Sequence, residues 1–280
     1  MPWLRIESYA YWSVFAATFL SVAIWESFRP KRDLSAPVER RWSRHGILLI
    51  TCTIIPLGLY RASPVILAVS SGGNRFGLLN RPWMPLAGRC MLAVLLLDLV
   101  KYAIHRTYHS VPFLWRVHQV HHSDPDFDVS TAVRAHPIEM IFTQGGYLAA
   151  VAILAPPVLA VLVAELASCF QSFFNHANAS LPGWVEKPLR FLLITPDMHR
   201  IHHSEEVEEQ YMNLGDIFPW WDHLFRTYLA APAAGQDGMI PGLKGFQNEG
   251  SLGLAFMLRQ PFLPEPRADS LPEIPAASAR

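Results

Sequence analysis

Eight of the twelve histidines in this chain fall into three short boxes, and imidazole is well suited to binding Fe, Zn, Cu or Ni. The boxes read HRTYH, HQVHH and HRIHH, and they contain His105, His109, His118, His121, His122, His199, His202 and His203. Eight imidazoles are too many for one ion. The sequence therefore predicts a two-metal centre.

The spacing within each box is helical. Residues three or four apart lie on one face of an α-helix, so His105 and His109 can bind one ion or adjacent ions. The other two boxes each place three imidazoles on one helical face. Pro112 is placed to begin the helix of the second box, and Thr195 with Pro196 forms an N-cap and first-turn pair for the third. The alternative to metal binding is a pH-sensing histidine cluster.

A polar seam precedes the first box. Asp98 and Tyr102 continue the stripe of His105 at helical spacing, inside an apolar stretch, and ionisable groups at membrane depth are usually functional. We therefore predict catalytic roles for Asp98 and Tyr102. The alternative for Asp98 is a simple ion pair with Lys101.

The segment FFNHANAS adds His176 as a ninth predicted metal ligand. Its neighbours Asn175 and Asn178 could hydrogen-bond a ligand or a metal-bound water, and Asn178 is a third catalytic candidate. His136 in RAHPIE is left open between a ligand and a structural role.

Ligand histidines normally donate their second N–H to a carboxylate or carbonyl, which fixes the ring. Acidic residues that could orient a ring in this way are Asp98, Asp124, Asp126, Asp128, Glu139, Asp197, Asp216 and Asp222. His45 and His223 are isolated and are expected to be packed or interfacial.

The elements that position these residues are predicted to be membrane helices. The chain has 280 residues, 51% of them hydrophobic, and a mean hydropathy of +0.19, which exceeds the usual value for a soluble domain. The formal net charge is zero, so no global field favours a nucleic-acid partner. The three cysteines stand alone and support neither a disulfide framework nor a thiolate metal site.

Four apolar stretches are long enough to consider as membrane segments. They are residues 9–25, 46–59 continuing toward 69, 86–104 and 138–170. The last is broken at Pro156 and Pro157, and we predict a helical hairpin that turns there, because the third box must return to the side of the first two. A basic loop between the first two stretches predicts, by the positive-inside rule, that this side is cytoplasmic. That loop contains Arg29, Lys31, Arg32, Arg40, Arg41 and Arg44.

The predicted fold is thus an all-α, multi-pass integral membrane bundle with a cytoplasm-facing helical cap that carries the boxes. We expect a membrane-embedded di-metal domain at residues 1–230, with its histidine-box core at 98–227. Residues 231–280 end in a Pro-rich segment and are expected to form a flexible tail.

The metal is predicted to be iron. A structural zinc site is closed by four ligands and usually includes Cys, and the metalloprotease pattern H-E-x-x-H is absent. A nitrogen-rich pair of ions beside lipid suits oxidation of unactivated C–H bonds, which needs O2 and a redox metal. The rival from another class is a non-catalytic membrane protein that binds or transports zinc.

Seven segments together resemble the fatty acid hydroxylase and sterol desaturase superfamily over residues 98–227. They are DLVKYAIHRTYH, LWRVHQVHHS, RAHPIE, NHAN, TPDMHRIHHS, YMNLGD and WDHLFRT. The resemblance implies a non-haem di-iron oxygenase embedded in the membrane, with the eight box histidines and His176 as ligands. The chain departs from it at Arg226, where many members carry Gly.

The expected activity is O2-dependent hydroxylation of a membrane lipid, whether fatty acyl, sterol or related; a lipid or sterol desaturase with the same centre is the alternative. The sequence contains no G-x-G-x-x-G fingerprint and no H-P-G-G haem motif, so electrons are expected from a separate ferredoxin, cytochrome or reductase. The basic loop at residues 29–44 is the predicted docking surface for it.

Overall fold

The computed structural model describes residues 2–72, 77–81, 83–247 and 249–264, and this part of the chain contains no β-strand. Its α-helices are α1 (Pro2–Phe28), α2 (Val38–Tyr60), α3 (Pro64–Ser71), α4 (Leu86–Ser110), α5 (Pro112–His122), α6 (Pro137–Leu154), α7 (Val158–Asn175), α8 (Gly183–Leu189), α9 (Pro196–His202), α10 (Val207–Gln210), α11 (Trp220–Phe225), α12 (Gly235–Gly238) and α13 (Leu254–Arg259). Short 3-10 turns lie at Val129–Val133, Glu249–Leu252 and Gln260–Phe262. The predicted all-α class is confirmed.

Four helical stretches of the described residues are long and apolar enough to cross a membrane: Pro2–Phe28, Val38–Ser71, Pro137–Leu154 and Val158–Asn175. Length and composition are the basis of this assignment, and they support a membrane protein.

The predicted crossing at residues 86–104 is not among these stretches. This region forms most of α4, whose apolar run is interrupted by Arg89, Asp98 and Lys101. Its apolar residues pack inside the protein: α4 contacts α5, α6 and α7, and the Leu97 side chain is fully buried. α4 is therefore the central helix of the bundle, and length and composition do not support the predicted crossing at residues 86–104.

The predicted hairpin is confirmed. α6 ends at Leu154, Ala155 adopts a left-handed conformation with φ 44°, and α7 begins directly after Pro157. Glu139 at the start of α6 and His176 at the end of α7 both contact box histidines, so the two helices run away from the boxes and back again.

The region after residue 230 is partly built into the cap, which consists of the short helices α5 and α8 to α13 with their connecting loops. Met239, Leu252 and Met257 are buried, and the side chain of Gln260 accepts a hydrogen bond from Ser123 at 2.9 Å. Up to residue 264 the structure thus gives packed helices and turns in place of the predicted flexible tail. Residues 265–280 lie outside the described residues.

The basic loop also holds the cap in place. Arg41 has no exposed side-chain surface and pairs with Asp124 at 2.7 Å, while Arg44 donates to the Leu252 carbonyl at 2.8 Å. Arg32 donates to carbonyls of residues 236 and 239, and Lys31 pairs with Asp237. At least four of the six basic side chains therefore have partners within the protein, which leaves the loop less able to serve as a docking surface than the sequence suggests.

Candidate metal centre

Nine histidines meet in two adjacent groups. The five-histidine group contains His105, His109, His118, His122 and His202. The four-histidine group contains His121, His176, His199 and His203. Within each group, one ring nitrogen per residue lies within 4.8 Å of those of the others, and the rings of His122 and His203 join the groups with centroids 4.5 Å apart. All nine predicted ligands are brought together; that they bind metal stays a prediction.

Four helix ends position these rings. α4 supplies the first box from its last turns, α5 and α9 carry the second and third boxes, and His176 caps the end of α7. α5 begins at Pro112, and α9 begins at Pro196 after Thr195, whose hydroxyl accepts a hydrogen bond from the Met198 amide at 3.3 Å. Both predicted helix starts are confirmed.

Backbone carbonyls fix two rings of the five-histidine group. The Nδ1 atom of His105 lies 2.9 Å from the Leu214 oxygen, and that of His202 lies 3.1 Å from the Met212 oxygen. A carbonyl can only accept, so each Nδ1 carries the proton and each Nε2 presents a lone pair to the centre.

A carboxylate fixes a third ring. The Nδ1 atom of His118 lies 2.8 Å from Glu139 Oε1. Glu139 is thus the predicted orienter that contacts a box histidine, whereas Asp124, Asp126 and Asp128 surround Arg41. The remaining predicted orienters bind other groups: Asp98, Asp197, Asp216 and Asp222.

In the four-histidine group, the described hydrogen bonds of Nδ1 atoms go to backbone carbonyls. The Nδ1 atom of His121 lies 3.1 Å from the Arg134 oxygen, and that of His176 lies 2.7 Å from the Ser172 oxygen. None of the four carbonyl anchors could be predicted from the sequence, because a carbonyl contact depends on loop conformation and not on residue type.

The inward nitrogens lie close enough to repel one another. The Nε2 atoms of His105 and His202 are 3.0 Å apart, and the His176 Nε2 lies 3.2 Å from that of His121 and 3.1 Å from that of His199. In the His105–His202 and His121–His176 pairs both Nδ1 protons point to carbonyls, so two lone pairs face each other. A cation between them removes this repulsion, and the donor set therefore fits a metal.

Further ring nitrogens are buried without a hydrogen-bond partner in the described part of the chain. They are Nε2 of His109, His118 and His203, Nδ1 of His199, and both nitrogens of His122. Buried polar atoms are rarely left unpaired, and an ion is one of the usual reasons.

The protonation state of the rings also fits. Burial, followed by the neighbouring histidines, lowers the pKa of His122, His199 and His203 well below 6.5. At neutral pH these imidazoles are uncharged, which is the form that ligates metals.

A cavity of about 390 Å³ lies between the membrane-type helices and the histidines. His105 and His118 of one group and His121, His176 and His199 of the other form part of its wall. A smaller cavity of about 230 Å³ reaches His109 from the cap. The first cavity is large enough for a substantial part of a ligand, and it brings that ligand against both groups.

The three residues predicted to be catalytic lie outside the lining of this cavity. Asp98 accepts hydrogen bonds from the amides of Ile217 and Phe218 at 2.9 and 3.3 Å and from the Trp221 ring at 2.7 Å. These contacts hold that loop in place, and they do not support the predicted catalytic role.

Tyr102 and Asn178 make similar structural contacts. The Tyr102 hydroxyl lies 2.9 Å from Thr227 Oγ1. The Asn178 side chain bonds the Arg32 backbone through both of its polar atoms, at 3.1 and 2.8 Å. Neither contact supports the predicted catalytic role. Asn175, which belongs to the same motif as Asn178, does line the cavity.

The other histidines are structural. His136 caps α6 by accepting from the Ile138 amide at 3.1 Å, which accounts for the residue that the sequence left open. His45 is buried beside Ser130, with its Nδ1 2.8 Å from the hydroxyl, and His223 stacks on Tyr228 with ring centroids 4.1 Å apart.

Fold and site together define a helical membrane protein with a candidate two-metal histidine centre. Residues 90–227 match the family model described as fatty acid hydroxylase. Over this region the chain belongs to the fatty acid hydroxylase superfamily, as the sequence motifs predicted.

Several curated proteins are similar to this chain. Alkylglycerol monooxygenase from Danio rerio is 31% identical over 170 residues, which cover 61% of this chain and 36% of the relative. Ornithine lipid hydroxylase OlsE from Rhizobium tropici is 27% identical over 64% of this chain and 51% of its own length. Methylsterol monooxygenase 1 from Rattus norvegicus is 24% identical over 52% of the chain and 48% of the relative. The chain thus spans about a third to a half of these relatives, and no solved structure matches it.

Proposed function

We propose that this protein is an iron-dependent oxidoreductase that uses O2 to hydroxylate an unactivated C–H bond of a membrane lipid. The observation that carries the proposal is the meeting of two histidine groups against a cavity lined by helices long and apolar enough to cross a membrane. The relatives named as monooxygenases or hydroxylases of alkylglycerol, ornithine lipid and methylsterol support the same class of reaction.

The proposed ligands are the nine histidines, with one iron held by each group. A five-histidine set exceeds the four ligands of a structural zinc site, and neither group includes a cysteine. When bound, iron supplies the reductive activation of O2 that C–H oxidation requires.

The chain's own residues prepare the reaction. Carbonyls and Glu139 lock the rings so that their lone pairs point inward, and burial keeps the rings neutral. Apolar side chains such as Phe15, Leu49 and Phe173 line the cavity, where they can hold a hydrocarbon segment and exclude water from the reacting carbon.

Hydroxylation of R–H consumes one O2, two electrons and two protons and gives R–OH and water. We propose that the electrons come from a separate ferredoxin, cytochrome or reductase. We also propose that the histidine layer faces the cytoplasm, on the basis of the basic residues between α1 and α2.

Three measurements test the proposal. Iron and zinc are quantified in protein purified from iron-replete cells, and reductant-dependent O2 uptake is followed with the same protein. Membrane lipids of cells with and without the intact gene are compared by mass spectrometry. We expect about two irons per chain and a lipid that gains one oxygen atom. Stoichiometric zinc without iron, together with no reductant-dependent O2 uptake, would favour the zinc-binding alternative.

The lipid measurement also decides the second candidate. A desaturase with the same centre would yield a product that has lost two hydrogens and gained no oxygen. The methylsterol monooxygenase relative is named for oxygen insertion, which favours hydroxylation.

A further inference from the structure

One stretch of the cavity wall is charged, although the rest is largely apolar. Lys101 on α4 donates a hydrogen bond to Ser168 on α7, and Ser168 donates to Asp216 Oδ2 at 2.6 Å. The Lys101 ammonium lies 3.6 Å from the same carboxylate oxygen. All three residues line the cavity, and about a quarter of the Lys101 and Asp216 side chains, 27% and 25%, remains accessible. This polar triad therefore has atoms free to contact a ligand.

The position of Asp216 is fixed from both sides. The carbonyl of Leu214 anchors His105, and the amide of Ile217 donates to Asp98 at 2.9 Å. Asp216 lies between these two attachments. The loop thus couples the triad to the five-histidine group, and the carboxylate is held in place before any ligand arrives.

The triad lies close to the candidate metal centre. Lys101 precedes His105 by one helical turn, which is about 6 Å along the axis. A ligand group bound at the triad would leave only about four or five bonds of the same molecule between itself and a carbon at the histidines.

The charge of this wall selects the ligand group. Glu165 lies one turn before Ser168 on α7 and also lines the cavity. Lys101 is already paired with Asp216, so this wall carries no excess positive charge for a phosphate, and the accessible Asp216 carboxylate favours a hydroxyl or amine that can donate a hydrogen bond to it.

We propose that Lys101, Ser168 and Asp216 form a binding subsite for a hydroxyl or amine group of the lipid substrate. The lipid is then oxidised within a few bonds of that group, and its hydrocarbon chain lies against the apolar wall that includes Ile104 and Met140. The inference rests on the proposed function for the oxidation, but the subsite itself can be tested without turnover.

The test measures equilibrium binding of dodecylamine, 1-dodecanol, dodecyl phosphate and dodecane to the full chain in nanodiscs. In the wild type we expect the amine and the alcohol to bind at least about tenfold more tightly than the phosphate or dodecane. Asp216→Asn should weaken amine and alcohol binding by about tenfold and strengthen phosphate binding, because the Lys101 ammonium loses its carboxylate partner. Ser168→Ala provides a smaller change in case Asp216→Asn fails to fold, and it should weaken both probes several-fold.

Thr51→Ala is the control, because Thr51 lies on α2 outside the cavity and bonds only its own helix, at 2.8 and 3.1 Å. It should bind all four probes like the wild type. Equal binding of all probes, tightest binding of the phosphate, or wild-type affinities in Ser168→Ala would each overturn the subsite.

A second measurement separates this inference from the proposed function. Tandem mass spectrometry locates the added oxygen in the lipid of expressing cells, and we expect it within about five bonds of a hydroxyl or amine. An oxygen at the methyl end of a chain would overturn the subsite while leaving lipid hydroxylation intact. Absence of any oxidised lipid, with the probes bound as expected, would overturn the hydroxylase assignment alone.

Discussion

Each histidine group is supported by a neighbouring loop, and the two supports are held in place by different kinds of interaction. Next to the five-histidine group, the loop at residues 212–227 is held by carboxylates that accept backbone hydrogen bonds. The Asp222 carboxylate accepts from the amides of Leu214 and Gly215 at 2.8 and 2.9 Å. Under the four-histidine group, the loop at residues 124–134 is held by buried ions. There Arg41 donates to Asp124 at 2.7 Å, and neither side chain is more than 1% exposed.

This difference determines how strongly a substitution destabilises each support. A hydrogen bond between a carboxylate and a backbone amide can be replaced by a weaker neutral one. A buried ion pair that loses one partner leaves an uncompensated charge in a medium that solvates it poorly. The four-histidine group also has one potential ligand fewer. It is therefore expected to be the more fragile half of the centre.

The largest contrast should come from the ligands themselves. We expect His121→Ala to abolish lipid oxidation and to remove about one metal equivalent per chain, because the four-histidine group falls to three ligands. His109→Ala leaves four ligands in its group and should retain more metal. Elemental analysis and lipid mass spectrometry measure both effects.

His223→Ala is the matched control for these variants, since this ring stacks on Tyr228 outside both groups. It should keep its metal and its activity. The comparison fails if His121→Ala turns over at the wild-type rate or if His109→Ala loses as much metal as His121→Ala.

The next effect concerns stability. Burial alone would raise the pKa of Asp124, but Arg41 and Arg134 lower it below 3.8, so the carboxylate is ionised. Asp124→Asn should therefore destabilise the protein by about 3–5 kcal/mol. Asp222→Asn, on the other support, should cost about 1–3 kcal/mol.

Unfolding of both variants in detergent, followed by circular dichroism, measures this difference. Equal losses would contradict the distinction between the two supports. Asp124→Asn should also weaken metal binding in the four-histidine group, because the Arg134 carbonyl that anchors His121 belongs to the same loop.

The third effect concerns His118, a predicted ligand whose ring contacts a carboxylate. Glu139→Gln keeps a hydrogen-bond acceptor for His118 but removes its charge, and such changes reduce metal affinity or activity by about 10–100-fold. When metal is removed with a chelator, one equivalent should leave faster and the other at the wild-type rate. Glu208→Gln, on the exposed face of α10, serves as control; release of both equivalents at wild-type rates from Glu139→Gln would refute the role of Glu139.

Much of the centre could be predicted because the residues that determine it lie close together in the sequence. Histidines at helical spacing, a proline at a helix start and a Pro pair inside a long apolar run each have a direct structural consequence. For this reason the convergence of nine histidines, the starts of α5 and α9 and the α6–α7 hairpin all followed from the chain.

The features that could not be predicted depend on contacts between segments that are far apart in the sequence. Asp98 is separated by 119 residues from Ile217, whose amide it binds, and its helical spacing to His105 gives no sign of this contact. The basic loop looked free because the acidic residues that bind Arg41 come 83 to 87 positions later. Lys101 and Glu165 were visible as charges in apolar stretches, but the cavity that gives them a role was not.

The smallest effect lies at Arg226, on the support of the five-histidine group. This residue follows α11 in the left-handed conformation, with φ 61° and ψ 37°, a backbone geometry that favours Gly. Arg226→Gly relieves the backbone strain but gives the unfolded chain more freedom, so the stability should rise by no more than about 1 kcal/mol. Arg226→Ala keeps the strain and removes the side chain, which makes it the matched control. If the alanine variant is stabilised as much as the glycine variant, the side chain and not the backbone is responsible, and the loop next to Thr227 is not strained by its turn.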